Sequence, residues 1–484
     1  MKIKKLLLIA PLSTISMSFV AARCAKGESK QTEIINTGAN RIETPADENA
    51  ENNLGELSEQ NGNKSPSNSE QNFNKSTTDT TKNSELENSK TPIKKELRDD
   101  ETYKLNNLKD SLHNDAPLKE PTISPEDAKK YKKAIDDIWK KHKYGFADFH
   151  TFDDVLKQLR VYAGNNIAKF LELNDKNNTN NSINKNNPKK VIDLKIGSKK
   201  FSLKFGDIKH TVPTVYSYKG EENNQFYVYG TESKDFNIKN SKKIIIKQLG
   251  YYKDSNGEYF KIVTVPKNTV EVPAILPLKI NSLAEAFKGL EEETVTNLDK
   301  WDTTNIVSLL STFDNAKNFN QSLKDWNTLN VKNMTSVFTE AKKFNSSLEN
   351  WKTDNVITME DMFAGAESFN QDISKWNTKN VTDMSKMFWG ATAFNSSIGN
   401  WDVSNVKSME RMFASAETFN QDIGRWDVQK VESMYGMFGG AKSFDQDISL
   451  WKLYEKVYYQ DFTNNESVLN HDHLPQKFKT AYKR

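Results

Sequence analysis

Cysteine is nearly absent: 484 residues carry one, Cys24. No intrachain disulfide can form, so packing alone must hold whatever folds. Histidine is scarce too, six scattered copies with one cluster at His471-Asp472-His473. That cluster lacks a third spaced partner, so no metal, no cofactor and no histidine-centred catalytic group is expected. Neither sign of charge dominates, since 68 Lys and Arg against 65 Asp and Glu leave +3. So close a balance gives no phosphate-binding footprint, and nucleic acid is not an expected partner. The apolar stretch at residues 6–20 is broken by Pro11 and several Ser, and is short for a membrane span. Hydrophobic residues make up 36% and mean hydropathy is −0.76, so part of the chain must lie outside any globular core. A phosphate loop, Gly-x-Ser-x-Gly and a Cys–His pair are all missing; no catalytic residue is assigned and an enzyme is not expected.

What the chain has is a period. Trp301, Trp326, Trp351, Trp376, Trp401, Trp426 and Trp451 stand 25 residues apart without a slip. Phe313, Phe338, Phe363, Phe388, Phe413 and Phe438 keep the same step, as do Phe319, Phe344, Phe369, Phe394, Phe419 and Phe444. Nine of the eleven Met lie in this block. A repeat of this length predicts a solenoid, in which stacked units bury each other's apolar faces. A unit of 25 residues cannot bury its own Trp, two Phe and two Met, whereas a stack can. Each buried aromatic is worth on the order of 1.5–3 kcal/mol toward the ordering entropy.

The unit starting at Asp372 shows the expected local structure. Ser308, Asn333, Thr358, Asp383, Ser408 and Ser433 recur at one position and suit a helix N-cap. Behind it Met384, Met387, Phe388 and Ala391 fall at i, i+3, i+4 and i+7, which predicts a short two-turn helix. Gly365, Gly390 and Gly440 fit its stop. A short strand at 376–378 would point Trp376 and Thr378 inward and Asn377 outward. Asp302, Asn327, Lys352, Asn377, Asp402 and Asp427 then form an outward polar column, the candidate binding face. Asn320, Asn345, Asn370, Asn395 and Asn420, closed by Asp445, form a second column that can satisfy turn backbone groups.

The line I-x-x-W-x-[TV]-x-N-V, running through Ile373, Trp376, Thr378 and Val381, looks like a shortened leucine-rich repeat with Trp in a Leu slot. The longer phrase F-N-Q-D-I-S-x-W-[ND]-[TV]-x-N-V-x-x-M-x-x-M-F resembles the repeats of BspA-type leucine-rich-repeat surface proteins, especially mycoplasma surface lipoproteins. That resemblance implies a cell-surface, non-enzymatic protein with antigenic or adhesive roles. It lies in scaffold positions, so it carries over no ligand site.

Residues 1–24 resemble a bacterial lipoprotein signal: Lys2, Lys4 and Lys5, the short apolar stretch, then Val20-Ala21-Ala22-Arg23-Cys24. The resemblance implies removal of residues 1–23 and lipidation of Cys24, a diacylglyceryl anchor holding the protein on the extracellular face of the membrane. Arg23 stands where such signals carry a small residue. Residues 24–121 are rich in Asn, Ser, Lys and Glu and read as a disordered linker, with a span of roughly 55–60 Å.

Residues 122–279 read as a small helix-then-strand domain. Ser124-Pro125 opens one helix, Thr151 caps a second, and 167–173 is expected as a third. Period-two runs predict a hairpin about Gly197-Ser198, strands near 212–218, 226–229 and 244–247, and a hairpin over 254–257. Residues 280–453 are the repeats, with Leu283 and Phe287 an imperfect half-repeat one residue out of register with Phe313, expected as the N-terminal cap. In the tail at 454–484, Tyr454, Val457, Tyr458 and Phe462 are expected to cover the last coil. The expected fold class is therefore α+β: a linker, a small α+β domain, and a leucine-rich-repeat-like solenoid with one short strand and one short helix per coil.

Functionally, these features predict an adhesin, antigen or protein-interaction scaffold whose partners are the membrane and host or sibling surface proteins. Two alternatives compete with it. A carbohydrate-binding module needs exposed Trp platforms, whereas the spacing puts these rings inside. An enzyme over residues 124–272 would need an acid–base or nucleophile constellation, and none is legible there.

Overall fold

The structure, a computed structural model, describes residues 122–481 except 186, 237, 239–241, 465 and 466. The expected signal peptide, Cys24 and the linker lie outside the described residues. The described chain mixes a few short helices with many short strands, and its strands close no barrel.

Helix α1 (Pro125–His142) begins where Ser124 accepts from the Asp127 N–H, with Pro125 in the first turn. Helix α2 (Phe152–Ala163) carries a full capping box between Thr151 and Asp154. The expected third helix is corrected. Only α3 (Asn165–Ala168) is helical, and β1 (Leu171–Leu173) pairs antiparallel with β2 (Val191–Ile196). Leu171 and Leu173 are buried while Glu172 is not, the period-two pattern a strand requires. β2 and β3 (Lys199–Lys204) form the hairpin about Gly197.

The run at 212–218 splits at Pro213 into β4 (Thr211–Val212) and β5 (Thr214–Tyr218). Then follow β6 (Phe226–Val228), β7 (Ile244–Gln248), β8 (Tyr251–Lys253), β9 (Phe260–Ile262) and β10 (Thr269–Glu271). They assemble as β10-β7-β5-β6 and β4-β8-β9. Buried side chains fall into two clusters. One joins α1, α2 and β1–β3, from Ala128 to Phe205. The other takes in Val212, Tyr216, Ile244 and Tyr251 and continues without a break through the repeats to Phe478.

Successive repeats are joined by parallel bridges: Ser282 to Ser308, then Asn333, Thr358, Asp383, Ser408, Ser433 and Tyr458. Lys261, at the centre of β9, bridges to Ser282, so the strands lead directly into the first unit. Aromatic rings stack at the same step. Phe313–Phe338, Phe363–Phe388 and Phe388–Phe413 lie 5.6–5.7 Å apart with planes within 8°. Trp301–Trp326 and Trp376–Trp401 are 6.4 Å apart, also near parallel. Centroid steps this long with parallel planes are offset stacks, the arrangement the ring quadrupole favours. Phe287 stacks on Phe313 at 5.3 Å, so the out-of-register unit begins the column.

The expected helix and strand within each unit are corrected. No described residue between 301 and 451 is assigned to a helix or a strand. The Met384–Ala391 stretch is instead two successive tight turns, closed by Met387 N–H to Met384 O and Ala391 N–H to Phe388 O. Lys386 and Gly390 carry positive φ, +53° and +67°, at the third residue of each turn, where a type II turn demands it. The same two positions are left-handed in every unit, as at Asp361 and Gly365 or Arg411 and Ser415. Backbone accounting explains the outcome. The N–H groups of Met384, Lys386, Phe388 and Gly390 all donate to the next unit, to Ser408, Glu410, Met412 and Ala414. A helix would turn those donors back along its own axis and leave the units unjoined. Four-residue turns also reproduce the i, i+3, i+4, i+7 spacing, so the apolar pattern fits both.

At the far end Val457 and Phe462 are buried, with Phe462 edge-on to Phe438 at 5.2 Å. Tyr454 and Tyr458 point outward instead. Helix α4 (Gln476–Ala481) adds Phe478, fully buried 4.6 Å from Phe462. The tail is thus a working cap rather than a polar trailing end.

The outward faces of the repeats

The candidate column Asp302, Lys352, Asn377, Asp402 and Asp427 is exposed, and Asn327 is half-buried. The outward direction is as expected, but most of its side chains are engaged locally. Asp302, Asn327, Asn377, Asp402 and Asp427 each accept from the N–H two residues on, at 3.0–3.2 Å. These are Asx turns that fix the backbone after each Trp. Hydrogen bonds from the hydroxyl and N–H of Ser404 hold the Asp402 carboxyl below its usual range. Lys352 differs: its N–H donates to the Thr328 hydroxyl, and among the described residues no hydrogen bond or ion pair engages its head group.

Behind the column, inward hydroxyls replace the expected strand. Thr303, Thr328, Thr353 and Thr378 are buried and donate to the carbonyls of Asn327, Lys352, Asn377 and Asp402 in the next unit. Asn330, Asn355, Asn380 and Asn405 donate in the other direction, to carbonyls of the preceding unit at 2.7–2.8 Å. The second column behaves as the sequence predicts. Asn345, Asn370, Asn395 and Asn420 each donate their N–H to the side-chain oxygen of the Asn one unit back, at 2.8–2.9 Å. Asp445 and then Asn470 extend the column. The seven repeated Trp are 2–5% exposed. Most send their indole N–H to a main-chain oxygen, as Trp401 does to Ile373. They offer no platform to a ligand.

The opposite ridge, formed by the paired turns, is less committed. Glu360 and Asp361 are half-buried there, and burial first, then neighbouring Asp383, raise both carboxyls above their usual range; Lys386 opposes this. Arg411 lies 4.9 Å over the ring of Tyr435, and Tyr435 stacks on Tyr458 at 5.7 Å. Trp389 is 44% exposed on the same ridge. Sequence reasoning passed over Trp389, yet the signal was present: it is the Trp of the repeat block that stands off the 25-residue register.

Elsewhere, His150 is buried between the two clusters. Its Nδ1 accepts from the Ala147 N–H at 3.0 Å, and its Nε2 lies 2.9 Å from the Tyr251 hydroxyl, which donates to the Gly145 carbonyl. Burial lowers the imidazole to about 4 and raises the tyrosine. An open cavity of about 660 Å³ lies beside Phe152, Asn174 and Asn187. The Asn187 amide there is spent on the main chain of Ile183 and Val191. His473 meets Asp445 at 2.9 Å. Among the described residues no three His, Cys, Asp or Glu side chains are placed to hold a metal ion.

Taken together, this is an array of 25-residue units whose repeated aromatic positions face inward. Residues 281–383 and 370–476 match the model of a family described as "Mycoplasma protein of unknown function, DUF285". The match falls on the repeats and fits a mycoplasma repeat protein; it does not specify the BspA type. No curated protein and no solved structure matches the chain.

Proposed function

We propose that the protein is a lipid-anchored, non-catalytic interaction scaffold on the extracellular face of the membrane, and that its units form a solenoid related to leucine-rich repeats. The observation that carries this reading is the division of labour within each unit. The repeated aromatic side chains are inward, as Trp376, Phe388 and Phe394 are, while an outward row such as Asn327, Lys352 and Asn377 changes charge from unit to unit. A constant scaffold with a varied polar surface suits recognition of host or sibling surface proteins, or presentation of antigenic epitopes.

Two measurements test it. The full chain, captured on beads and exposed to a host-cell surface extract, should retain a discrete protein that a chain with scrambled outward rows does not. Retention of nothing in repeated trials would count against a scaffold with a ligand. For the anchor, the wild type should partition into detergent and Cys24→Ser into water. Equal partitioning would remove the lipid.

A further inference from the structure

The turn ridge holds one side chain its scaffold does not use. Trp389 shares its row with Asp314, Thr339, Ala364, Ala414 and Gly439, and both Ala are buried. A small residue therefore suffices for the fold at this position. An indole 44% exposed, in a block whose other Trp are 2–5% exposed, leaves a large apolar face in water. The residues beside it on the ridge are small, Gly390 in its own unit, Ala364 and Gly365 in the unit before and Ala414 and Ser415 in the unit after. In the following units come Arg411 over Tyr435, and Tyr435 stacked on Tyr458, itself 51% exposed. Trp, Tyr and Arg are the residue types that dominate binding hot spots.

Charge decides what this face suits. Glu360, Asp361, Asp383 and Glu410 are answered on the ridge by Lys386 and Arg411, four carboxylates to two cations, in a chain whose total is +3. Glu360 and Asp361 are half-buried, and burial holds both above their usual range against the one cation facing them, Lys386. A second copy of the same ridge would bring like charges together. A neutral glycan would stack on the ring but leave the repulsion in place.

We propose that the face around Trp389 docks a basic peptide segment of a protein partner, with the indole taking a Lys or Arg head group and Glu360 and Glu410 in the adjoining units pairing with the next. This rests on the scaffold reading and names its face and the chemistry of its partner. Cation–π and charge-assisted contacts supply the specificity.

The test is calorimetric titration of the full chain with octalysine as the probe and chitohexaose as the comparison, at low and high salt. Octalysine should bind the wild type, and high salt should weaken it. Trp389→Ala should weaken binding about tenfold, as should Glu360→Gln combined with Glu410→Gln. Trp389→Phe should keep part of the affinity. Trp389→Ala should still unfold cooperatively and melt only a few degrees below the wild type, because this row already holds Ala364 and Ala414. Equal octalysine binding by wild type and Trp389→Ala overturns the proposal. So does binding of chitohexaose but not octalysine, or a dimer that Trp389→Ala dissolves. If the Trp389→Ala chain still retains the surface partner that the wild type retains, the face is wrong and the scaffold reading stands.

Discussion

The helix-and-hairpin region around Ile135, Leu159 and Leu194 and the repeat block solve one problem in opposite ways. In the first, backbone donors are satisfied near home: α1 and α2 within their own turns, β2 and β3 across a tight hairpin. In the repeats, every second N–H of the paired turns leaves its unit for the next. Some ion pairs follow suit, although Lys279 reaches Asp154 of α2 from far along the chain. Lys132 meets Asp136 four residues on, whereas Lys342 meets Glu367 twenty-five residues on. Local closure lets a short segment hold its shape. Lateral closure makes each unit depend on its neighbours, so the repeats should respond to damage as a chain of couplings.

The largest expected effect tests that dependence. Phe388 is fully buried, 3.8 Å from Phe394 and 5.7 Å from both Phe363 and Phe413. Phe388→Ala should cost about 3–5 kcal/mol in urea unfolding. Combined with Phe363→Ala, the costs should depart from a simple sum, because the two rings share a column. Combined with Leu159→Ala in the other cluster, they should add to within about 0.5 kcal/mol. Strong coupling between Leu159 and Phe388 would erase the distinction between the two regions.

Next in size is a pH effect at the seam. His150 is neutral when folded and lowered to about 4 from its ordinary 6.5 by burial. A depressed folded value means that the unfolded chain binds the proton more readily. The stabilising contribution is thus complete above pH 6.5 and is lost as pH falls toward 4. The shift corresponds to about 3 kcal/mol. His150→Gln should be less stable than wild type at neutral pH and should show a flatter melting-temperature profile between those limits. A parallel profile would place the acid sensitivity elsewhere. A smaller effect belongs to the amide column. Asn395→Ala removes the acceptor for the Asn420 N–H and the Gln421 amide, and should cost about 1–2 kcal/mol. Asn395→Asp keeps the acceptor and should recover most of it.

The sequence was unequally legible across these regions for a physical reason. Caps speak locally, so Ser124 and Thr151 announced their helices, and Ile192, Leu194 and Leu203 announced their hairpin. The repeat period announced which side chains are inward, and the Asn345–Asn420 column announced its own role. The path of the chain between those side chains was not legible. Met384, Met387, Phe388 and Ala391 satisfy a helix and a pair of tight turns equally, and only the destination of the N–H groups separates the two. A clue lay in the glycines, since Gly365, Gly390, Gly436 and Gly440 fall on two positions four apart, both left-handed. Lys386 and Arg411 at one of those positions hid the pattern. The candidate face was legible in direction, but not in that its Asx side chains are spent on turns. Trp389 was visible as an irregularity, and its exposure required the fold.

Those left-handed positions give the finest test of the comparison, because one substitution should have opposite signs in the two regions. Lys386 holds φ at +53°, a conformation that costs a side chain about 1 kcal/mol and costs glycine almost nothing. Gly436 already occupies the equivalent place two units on. Lys386→Gly should therefore stabilise the protein by up to about 1 kcal/mol, part of the gain being offset by the freer unfolded chain. Lys133 sits exposed in the middle of α1, where glycine has no strain to relieve. Lys133→Gly should destabilise by about 1 kcal/mol. Melting both variants beside the wild type gives two shifts of opposite direction if the repeats run through paired type II turns. Two losses of similar size would mean that the Lys386 backbone is helical after all, and the lateral bonding inferred for every unit would go with it.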